Sequence, residues 1–252
     1  MNKIALITGS TSGIGEACAR TLAKLGYNLI IVGRREKRLL KLKNELEESF
    51  NSDIYTIQLD VRNQGNVETA INNLPSNWKN IDLLINNAGL AVGTSDIQEG
   101  VVDDWERMID TNIKGLLYIS RSIAPLMIKN KKGHIINISS IAGKEVYPGG
   151  NVYCATKHAV EALTKGMRID MLKHGIKVSS IAPGMVETEF SIVRYKGDRN
   201  KAEDVYNGLE PLHAEDIAST MEFLVTRPDN VNINDILIMP TAQANARDTK
   251  RS

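Results

Sequence analysis

The sequence predicts one α/β domain built on a parallel sheet with helices on both faces. Two observations favour this class. Short apolar runs alternate with helix-length segments along the whole chain, the order that repeated β-α-β units produce. Most of these runs, such as Ile4–Ile7, are continuous isoleucine, valine and leucine without polar alternation, which is typical of strands buried on both faces. Right-handed crossovers between such strands lead to a doubly wound sheet.

The alternation predicts seven strands and six helices along the chain. The strand segments are Ile4–Ile7, Asn28–Val32, Ile54–Leu59, Leu83–Asn86, Gly133–Ile138, Lys177–Ile181 and Ile236–Met239. The helical segments are Ile14–Leu25, Glu36–Ser49, Gln64–Leu74, Trp105–Asn130, Val152–His174 and Ala214–Val225. Two polar segments remain: the stretch from Met185 to about Leu209, expected to fold over a site as a lid, and residues 241–252, expected to fray or to dock on a neighbouring subunit.

Composition narrows the class of protein. The 252 residues suit a single domain, and a net charge of +1 offers no basic surface for nucleic acid. No run approaches the roughly 20 apolar residues of a membrane span, and the N-terminus enters a strand directly, unlike a cleavable signal. Cys18 and Cys154 are too few for a disulfide framework or a zinc site, and the four histidines lack metal-ligand spacing. A cytoplasmic protein without a metal is expected.

A glycine-rich turn follows the first strand and precedes the first helix. Its sequence, Thr8 to Gly15, has the spacing G-x-x-x-G-x-G. Gly9 permits a tight turn, Gly13 lets the backbone approach a phosphate, and Gly15 lets the helix pack on the strand. A pyrophosphate would lie at the positive end of the helix. Glycines also make ordinary turns, so the flanking strand and helix carry this prediction.

The end of the second strand predicts which dinucleotide binds. NAD sites usually place an acid about 20 residues beyond the glycines to hold the ribose hydroxyls. Here that place holds Arg34 and Arg35, and no acid appears before Glu36. Guanidinium groups suit a 2′-phosphate, which favours NADP over NAD. The alternative is a basic helix terminus that faces solvent, since Lys37 and Arg38 follow.

Tyr153 and Lys157 form a candidate proton-transfer pair. A spacing of four places both side chains on one face of a helix, one turn apart. A nearby ammonium stabilises a phenolate, so the lysine is expected to lower the pKa of the tyrosine. The same spacing also occurs on ordinary solvated helix faces, so the pair needs support from the rest of the chain.

That support comes from a resemblance to the short-chain dehydrogenase/reductase family, which covers nearly the whole chain. Besides the glycine-rich turn and the Tyr153–Lys157 pair, five motifs resemble those of the family in order and spacing. They are Asp60-Val61, Asn86-Asn87-Ala88-Gly89, Asp110-Thr111-Asn112, Ile138-Ser139-Ser140 and Pro183-Gly184. The resemblance implies a Rossmann-type fold and an oxidoreductase that moves a hydride to or from NADP(H).

The resemblance also implies roles for four catalytic residues. Tyr153 would exchange the proton, and Lys157 would assist it and hold the nicotinamide ribose. Ser140 would hydrogen-bond the substrate oxygen; strand alternation lets only Ser140 or Ser139 face the site, and the family serine stands thirteen residues before the tyrosine. Asn112, at an irregular point of its helix, would hold a water molecule. The plainer alternatives make Ser140 a strand-end cap and Asn112 a helix cap.

The resemblance assigns a larger set of residues to the cofactor. One departure is Ser12, because many NADP-using members carry a basic residue there, which would leave the 2′-phosphate to two arginines and make the preference for NADP less strict. The expected cofactor contacts are Gly9, Ser10, Ser12, Gly13, Ile14, Gly15, Arg34, Arg35, Asp60, Val61, Asn87, Ala88, Gly89, Tyr153, Lys157, Pro183, Gly184, Val186 and Thr188.

A narrower resemblance points to the substrate. Residues 81–91, 149–153, 188–198 and 231–234 are similar to NADP-dependent 3-hydroxy acid dehydrogenases that also oxidise serine and allo-threonine. Ser140, Tyr153 and Arg194 are then the candidate substrate residues. The Arg194 fork matches the two oxygens of a carboxylate, although a plain surface arginine, or binding by Tyr195 or Lys196, is an alternative.

Other readings stay open at this point. A 3-oxoacyl-thioester, sugar or polyol reductase would carry the same catalytic set, and a non-catalytic NADP-binding sensor would share the fold. The family resemblance further implies a homotetramer, in which the helices at 112–130 and 152–174 would pair with their copies.

Overall fold

Seven parallel strands form one sheet at the centre of the protein. The computed structural model describes residues 2–252. In chain order the strands are β1 (Ile4–Thr8), β2 (Asn28–Gly33), β3 (Ile54–Gln58), β4 (Ile81–Asn86), β5 (His134–Ile138), β6 (Lys177–Pro183) and β7 (Asp235–Ile238). Their spatial order is β3-β2-β1-β4-β5-β6-β7, and every neighbouring pair is parallel. The predicted doubly wound α/β sheet is confirmed, and all seven predicted strands are present with ends shifted by one or two residues.

Helices cover both faces of this sheet. In chain order they are α1 (Gly13–Lys24), α2 (Glu36–Ser49), α3 (Gln64–Asn72), α4 (Val102–Ile109), α5 (Leu116–Asn130), α6 (Asn151–Met171), α7 (Phe190–Arg194), α8 (Arg199–Asp204) and α9 (Ala214–Val225). Helices α1, α2 and α9 pack on one face, where Cys18, Leu39 and Met221 are buried. Helices α3, α5 and α6 pack on the other. Within residues 2–252 no helix combines the length and apolar character needed to cross a bilayer.

Strand alternation divides the core between the two faces. Ala5 and Ile7 of β1 belong to the cluster under α1, α2 and α9, whereas Ile4 and Leu6 belong to the cluster on the opposite face. All four side chains are at most 6% exposed. Because helices cover both faces of β1, its side chains from Ile4 to Ile7 are all apolar, and only Thr8 at the end of the strand is polar. This is the physical reason why the apolar runs of the sequence are continuous.

The topology collects the functional motifs at one edge of the sheet. The strand order reverses between β1 and β4, which lie side by side although two strands and three helices separate them in the chain. Parallel strands end at the same edge, so the turn after β1, the Asn86–Gly89 segment after β4 and the serines after β5 come together there. Ligands of doubly wound sheets bind in the crevice at such a switch point.

The segment predicted as one helix over Trp105–Asn130 is interrupted. Helix α4 ends at Ile109, a π-helix spans Asp110–Gly115, and α5 follows. The expectation that Asn112 lies at an irregular point is therefore confirmed. Gly115 is required where the wider turn meets the end of β3, because a Cβ there would lie 2.7 Å from Cγ2 of Val61. Single π turns of this kind are often found at functional sites.

The C-terminal residues 241–252 dock on their own chain. The expectation that they fray is therefore wrong, whereas docking on a neighbouring subunit stays a prediction. The Gln243 side chain accepts a hydrogen bond of 2.8 Å from the Met185 amide, at the start of the substrate loop (residues 185–209). Farther along, Arg251 donates to the carbonyls of Val205 and Asn207. These bonds satisfy backbone carbonyls of a loop that has little regular structure of its own.

Candidate active site

A cleft opens along the sheet edge where the motifs meet. The glycine-rich turn and the end of β2 line one half, the ends of β4 and β5 and helix α6 line the other, and the substrate loop borders both. Its lining includes Gly9, Ser12, Gly13, Ile14, Arg34, Arg35, Asp60, Val61, Asn87, Ala88, Gly89, Ser140, Tyr153, Lys157, Pro183, Gly184, Val186 and Thr188. The structure therefore brings eighteen of the predicted site residues to one cavity. Ser10, Gly15, Asn112 and Arg194 lie outside its lining.

The glycine-rich turn is held by contacts that leave no room for side chains. Gly9 has φ of +70°, in the left-handed region that favours glycine. A Cβ on Gly15 would lie 2.4 Å from the Gly9 carbonyl oxygen and from Nδ2 of Asn87. Asn87 in turn donates to the carbonyls of Thr8 and Gly9 at 3.0 and 3.2 Å. The Ser10 hydroxyl points inward and donates to the Ile7 carbonyl, so Ser10 supports the turn from behind.

This turn fits the phosphates of a dinucleotide. Gly13, at the start of α1, has φ of +53° and lines the cleft with its bare backbone. The Ser12 side chain makes no capping hydrogen bond to the helix. Free backbone amides at a helix start are suited to bind an anion. The donor set and the open backbone are thus compatible with a pyrophosphate.

The two predicted 2′-phosphate ligands differ in their surroundings. Arg34 is exposed, lines the cleft, and its side chain makes no hydrogen bond to any residue in 2–252. Arg35 is bound to the turn, because its Nε lies 3.1 Å from Oγ1 of Thr11 and its Nη2 lies 2.7 Å from Oγ of Ser12. Arg35 also forms an ion pair of 2.8 Å with Glu189. Arg34 is therefore the guanidinium free to meet a phosphate.

Asp60, the expected adenine contact after β3, accepts hydrogen bonds from a neighbouring side chain, Arg62. Arg62 donates to both of its carboxylate oxygens, with the shortest distance 2.7 Å between Nη2 and Oδ2. The hydrogen bond from Arg62 lowers the pKa of the Asp60 carboxyl. Asp60 still lines the cleft together with Val61, so the position of this pair agrees with the prediction.

Tyr153, Lys157 and Ser140 face the opposite end of the cleft. Tyr153 and Lys157 stand one turn apart on α6, buried to 8% and 6% exposure. Lys157 Nζ donates to the Ile138 carbonyl at 2.9 Å and lies 6.0 Å from the centre of the Tyr153 ring. Ser140 follows β5 and its hydroxyl accepts from the Ala142 amide at 3.1 Å. Its capping role and its place in the cleft are therefore compatible.

Burial dominates the electrostatics of the tyrosine. Desolvation raises the pKa of Tyr153 above its ordinary value, and the Tyr147 hydroxyl adds to this, while Ser140 and Arg194 act in the lowering direction. In the protein by itself, burial thus outweighs the groups that lower the pKa of Tyr153, and the lowering of this pKa by Lys157 stays a prediction. Burial also lowers the pKa of Lys157 to about 8. Both shifts have one physical cause, since a charged form loses hydration in this site.

Asn112 and Ser139 are buried next to the predicted catalytic residues. The Asn112 side chain accepts from the Leu90 amide at 2.9 Å and donates to Oγ1 of Thr156 at 3.0 Å. It therefore ties the π-helix to the strand-end loop and to α6. Ser139 is 3% exposed, and a Cβ on Gly143 would lie 2.7 Å from its hydroxyl. Both serines border the cleft, and Ser140 is the more exposed of the two, so the choice of Ser140 as the catalytic serine stays a prediction.

Arg194 lies against the far side of the tyrosine. Its guanidinium carbon is 5.9 Å from the Tyr153 ring centre and 5.3 Å from that of Tyr147. Nη1 donates to the Tyr147 hydroxyl at 3.0 Å. The buried Nε has no hydrogen-bond partner, and no carboxylate within residues 2–252 forms an ion pair with this guanidinium. Arg194 is thus a cation with unused donors beside the reactive residue.

Sequence reasoning missed several residues of the cleft. Glu189, Phe190 and Val193 line it from the substrate loop, and the Phe190 ring centre lies 5.7 Å from that of Tyr153. Tyr147, which binds Arg194, lies in the segment before α6 and was also missed. For Glu189 the sequence did contain a signal, because this residue directly follows the expected cofactor contact Thr188. Among residues 2–252 no group of three or more metal-binding side chains occurs.

Comparison with known proteins agrees with this geometry. The family model described as short chain dehydrogenase matches residues 3–198. The NADP-dependent 3-hydroxy acid dehydrogenase YdfG of Escherichia coli (strain K12) is 45% identical over 244 residues, which cover 96% of this chain and 97% of the relative. Sulfoacetaldehyde reductase 2 of Chromohalobacter salexigens is 42% identical over 245 residues, covering 97% and 96% of the two chains.

Two solved structures with the same fold contain an NADP-type cofactor. The closed form of serine dehydrogenase complexed with NADP+ has a TM-score of 0.92 and 44% identity, and 99% of each chain is covered. An alcohol dehydrogenase from the archaeon Thermococcus sibiricus, complexed with 5-hydroxy-NADP, has a TM-score of 0.85 and 26% identity, covering 96% and 98%. Together, the family model, the relatives and these structures show that the chain belongs to the short-chain dehydrogenase family and is an NADP-dependent oxidoreductase.

Proposed function

We propose that the protein moves a hydride between NADP(H) and the 3-hydroxyl or 3-keto carbon of a small hydroxy acid, such as serine, allo-threonine or another 3-hydroxy acid. The observation that carries this proposal is Arg194, a guanidinium with free donors and no acidic partner in residues 2–252, whose central carbon lies 5.9 Å from the ring centre of Tyr153. A substrate carboxylate two bonds from the reacting carbon would reach such a group while its oxygen faces the tyrosine. Fork geometry suits the two oxygens of a carboxylate.

The proposed chemistry assigns one task to each residue. The bound cofactor supplies or accepts the hydride. In reduction, the Tyr153 phenol would donate its proton to the substrate oxygen, and Ser140 would hydrogen-bond the same oxygen and steady it. Lys157, held by the Ile138 carbonyl, would present its ammonium beside the tyrosine and the cofactor ribose. Asn112 fixes the strand-end loop and α6 around this group and, by family resemblance, would hold a water molecule.

The raised pKa of Tyr153 is consistent with an acid for reduction. A phenol that keeps its proton at neutral pH is ready to donate it to an alkoxide, which is a far stronger base. For oxidation the same hydroxyl must first lose its proton, so the cations around it become important. Arg194 is one of the groups that lower the pKa of Tyr153, and a positively charged substrate-binding residue would thus also assist the reaction.

The relatives support the carboxylate class and add one competitor. Two of those named are a 3-hydroxy acid dehydrogenase and a serine dehydrogenase. A third relative is a sulfoacetaldehyde reductase, and a sulfonate would match the same guanidinium. A 3-oxoacyl thioester, a sugar or a polyol offers no anion at this distance, so Arg194 would have no role with these substrates.

Steady-state kinetics over a substrate panel tests the proposal. The panel contains L-serine, allo-threonine, 3-hydroxybutyrate, 3-hydroxyisobutyrate, sulfoacetaldehyde, simple sugars and uncharged alcohols, each with NADP(H). Arg194→Met should raise KM for the acids about 10- to 100-fold, the loss of a charge-assisted hydrogen bond, and leave uncharged alcohols nearly unchanged. Arg199→Met, on the exposed part of the same loop, is the matched control. Equal effects of Arg194→Met on acids and alcohols would contradict a carboxylate-binding role.

A further inference from the structure

Glu189 joins the two sides of the cofactor cleft. It follows Thr188 in the substrate loop, whereas its partners Arg35 and Arg38 stand at the start of α2, more than 150 positions earlier in the chain. Arg35 Nη1 lies 2.8 Å from Oε2 of Glu189, and Arg38 Nη1 lies 2.7 Å from Oε1 and 3.0 Å from Oε2. Both carboxylate oxygens are therefore bound by guanidinium groups from the opposite side of the cleft.

The same arginine is anchored in the phosphate-binding turn. All three nitrogens of Arg35 have protein partners: Nε and Nη2 bind Thr11, Nη2 also binds Ser12, and Nη1 binds Glu189. Arg35 thus links the glycine-rich turn to the substrate loop through one rigid group. Arg34 beside it makes no side-chain hydrogen bond within residues 2–252 and remains open to the cleft.

A second contact joins the same two segments. The start of the substrate loop lies directly over the turn, because a Cβ on Gly13 would be 3.1 Å from Cγ2 of Thr188. Gly13 and Arg35 from one side, and Thr188 and Glu189 from the other, all line the single cleft that also contains Tyr153. A dinucleotide bound along this cleft would therefore lie next to both sides of the junction.

We propose that Glu189, Arg35 and Arg38 form an ionic clasp that closes the substrate loop over NADP(H) and limits the rate of cofactor release, while Arg34 alone recognises the 2′-phosphate. Each ion pair is partly exposed, and single exposed pairs contribute little. Here two guanidiniums share one carboxylate and Arg35 is held in place by the turn, so less side-chain freedom is lost when the clasp closes. The inference needs the cofactor but does not depend on the substrate proposed above.

Release of NADPH in the absence of substrate tests the clasp. The preformed complex is mixed with excess NADP+ in a stopped-flow instrument, and the loss of bound NADPH fluorescence gives the release rate. Glu189→Gln should speed release about three- to tenfold, the range expected for two partly exposed ion pairs. Glu187→Gln removes the same charge from an exposed side chain two residues away and should leave the rate unchanged. At roughly 1 M salt the wild-type rate should approach that of Glu189→Gln, because surface pairs are screened.

Two further variants separate the clasp from phosphate recognition. Arg38→Gln should also speed release, but it should add nothing in the Glu189→Gln background, since its guanidinium acts through that carboxylate. Glu189→Gln should change release of NADPH and NADH alike, whereas Arg34→Gln should weaken NADPH binding and spare NADH. The clasp is refuted if Glu189→Gln releases NADPH at the wild-type rate. It is equally refuted if Glu189→Gln tightens NADPH alone, because Glu189 would then occupy the phosphate position.

Discussion

The two halves of the cleft are built in different ways. Around the glycine-rich turn, backbone meets backbone, and a Cβ on Gly15 would lie 2.4 Å from a carbonyl oxygen. Around the substrate loop, long side chains make the contacts: Arg194 reaches Tyr147, and Glu189 reaches Arg35. The first half leaves no freedom of sequence, whereas the second can change specificity by exchanging side chains. In a family with one cofactor class and many substrates, cofactor binding and substrate specificity are thus placed in different parts of the cleft.

The largest effect is expected where the halves meet, at the tyrosine. Tyr153→Phe removes the proton donor, and kcat should fall about 10²- to 10⁴-fold, the usual contribution of general acid–base catalysis. NADPH affinity, measured by fluorescence titration, should stay within about twofold, because cofactor binding depends on the turn and on Arg34. A variant with near wild-type turnover would show that another group transfers the proton.

The pH dependence of reduction and of oxidation tests which protonation state of Tyr153 is active in each direction. Because burial raises the pKa of Tyr153, the phenol stays protonated through neutral pH and is the active form for reduction. The kcat of reduction should therefore be nearly flat from about pH 6 to pH 7, below the pKa of about 8 of the assisting Lys157, while the kcat of oxidation should rise by up to about tenfold per unit, since it needs the phenolate. An oxidation rate that levels off near neutral pH would instead indicate a depressed pKa.

Replacing Gly15 by alanine should impair the half of the cleft that is formed by the glycine-rich turn. Gly15→Ala places a methyl group within 2.4 Å of the Gly9 carbonyl oxygen and Asn87. Overpacking of this kind costs about 1–3 kcal/mol of folding free energy, measured by chemical denaturation, and should weaken NADPH binding as the turn shifts. Gly166→Ala is the control: it is also helical, but nothing lies within 4 Å of the added methyl, so stability should rise slightly.

The smallest predicted effect is at Tyr147, on the substrate half. Tyr147→Phe removes the hydroxyl that accepts from Arg194 but keeps the ring on which the guanidinium rests. The loss of one hydrogen bond to a charged group should raise KM for 3-hydroxy acids about three- to tenfold and leave NADPH affinity unchanged. If KM for uncharged alcohols rises equally, Tyr147 acts on the shape of the pocket and does not orient the arginine.

Much of the site could be predicted because its residues carry local constraints. Tyr153 and Lys157 line the same cleft because a helix repeat brings positions four apart to one face. Gly9 and Gly13 adopt positive φ, as a turn that approaches a ligand requires. The irregular helix around Asn112 was also predicted, through the family resemblance, although the wider turn is invisible to apolar periodicity.

Other features depended on contacts between distant parts of the chain. Arg34 and Arg35 look equivalent in the sequence, yet only the folded chain shows that Arg35 is bound to Thr11, Ser12 and Glu189. The raised pKa of Tyr153 reflects burial, which local spacing does not contain. The C-terminal residues looked like a loose polar tail, but the folded substrate loop presents free carbonyls that Arg251 binds.

The amino-acid sequence by itself determined the alternation of strands and helices, the glycine-rich turn and the face of α6 that carries Tyr153 and Lys157, because apolar periodicity, glycine φ angles and helix repeat act over a few residues. Tertiary structure decided which arginine is free, what lies against Tyr153 and where the chain end docks. These outcomes depend on side chains brought together across 46 to 154 positions, and their distances and desolvation exist only after the sheet has assembled.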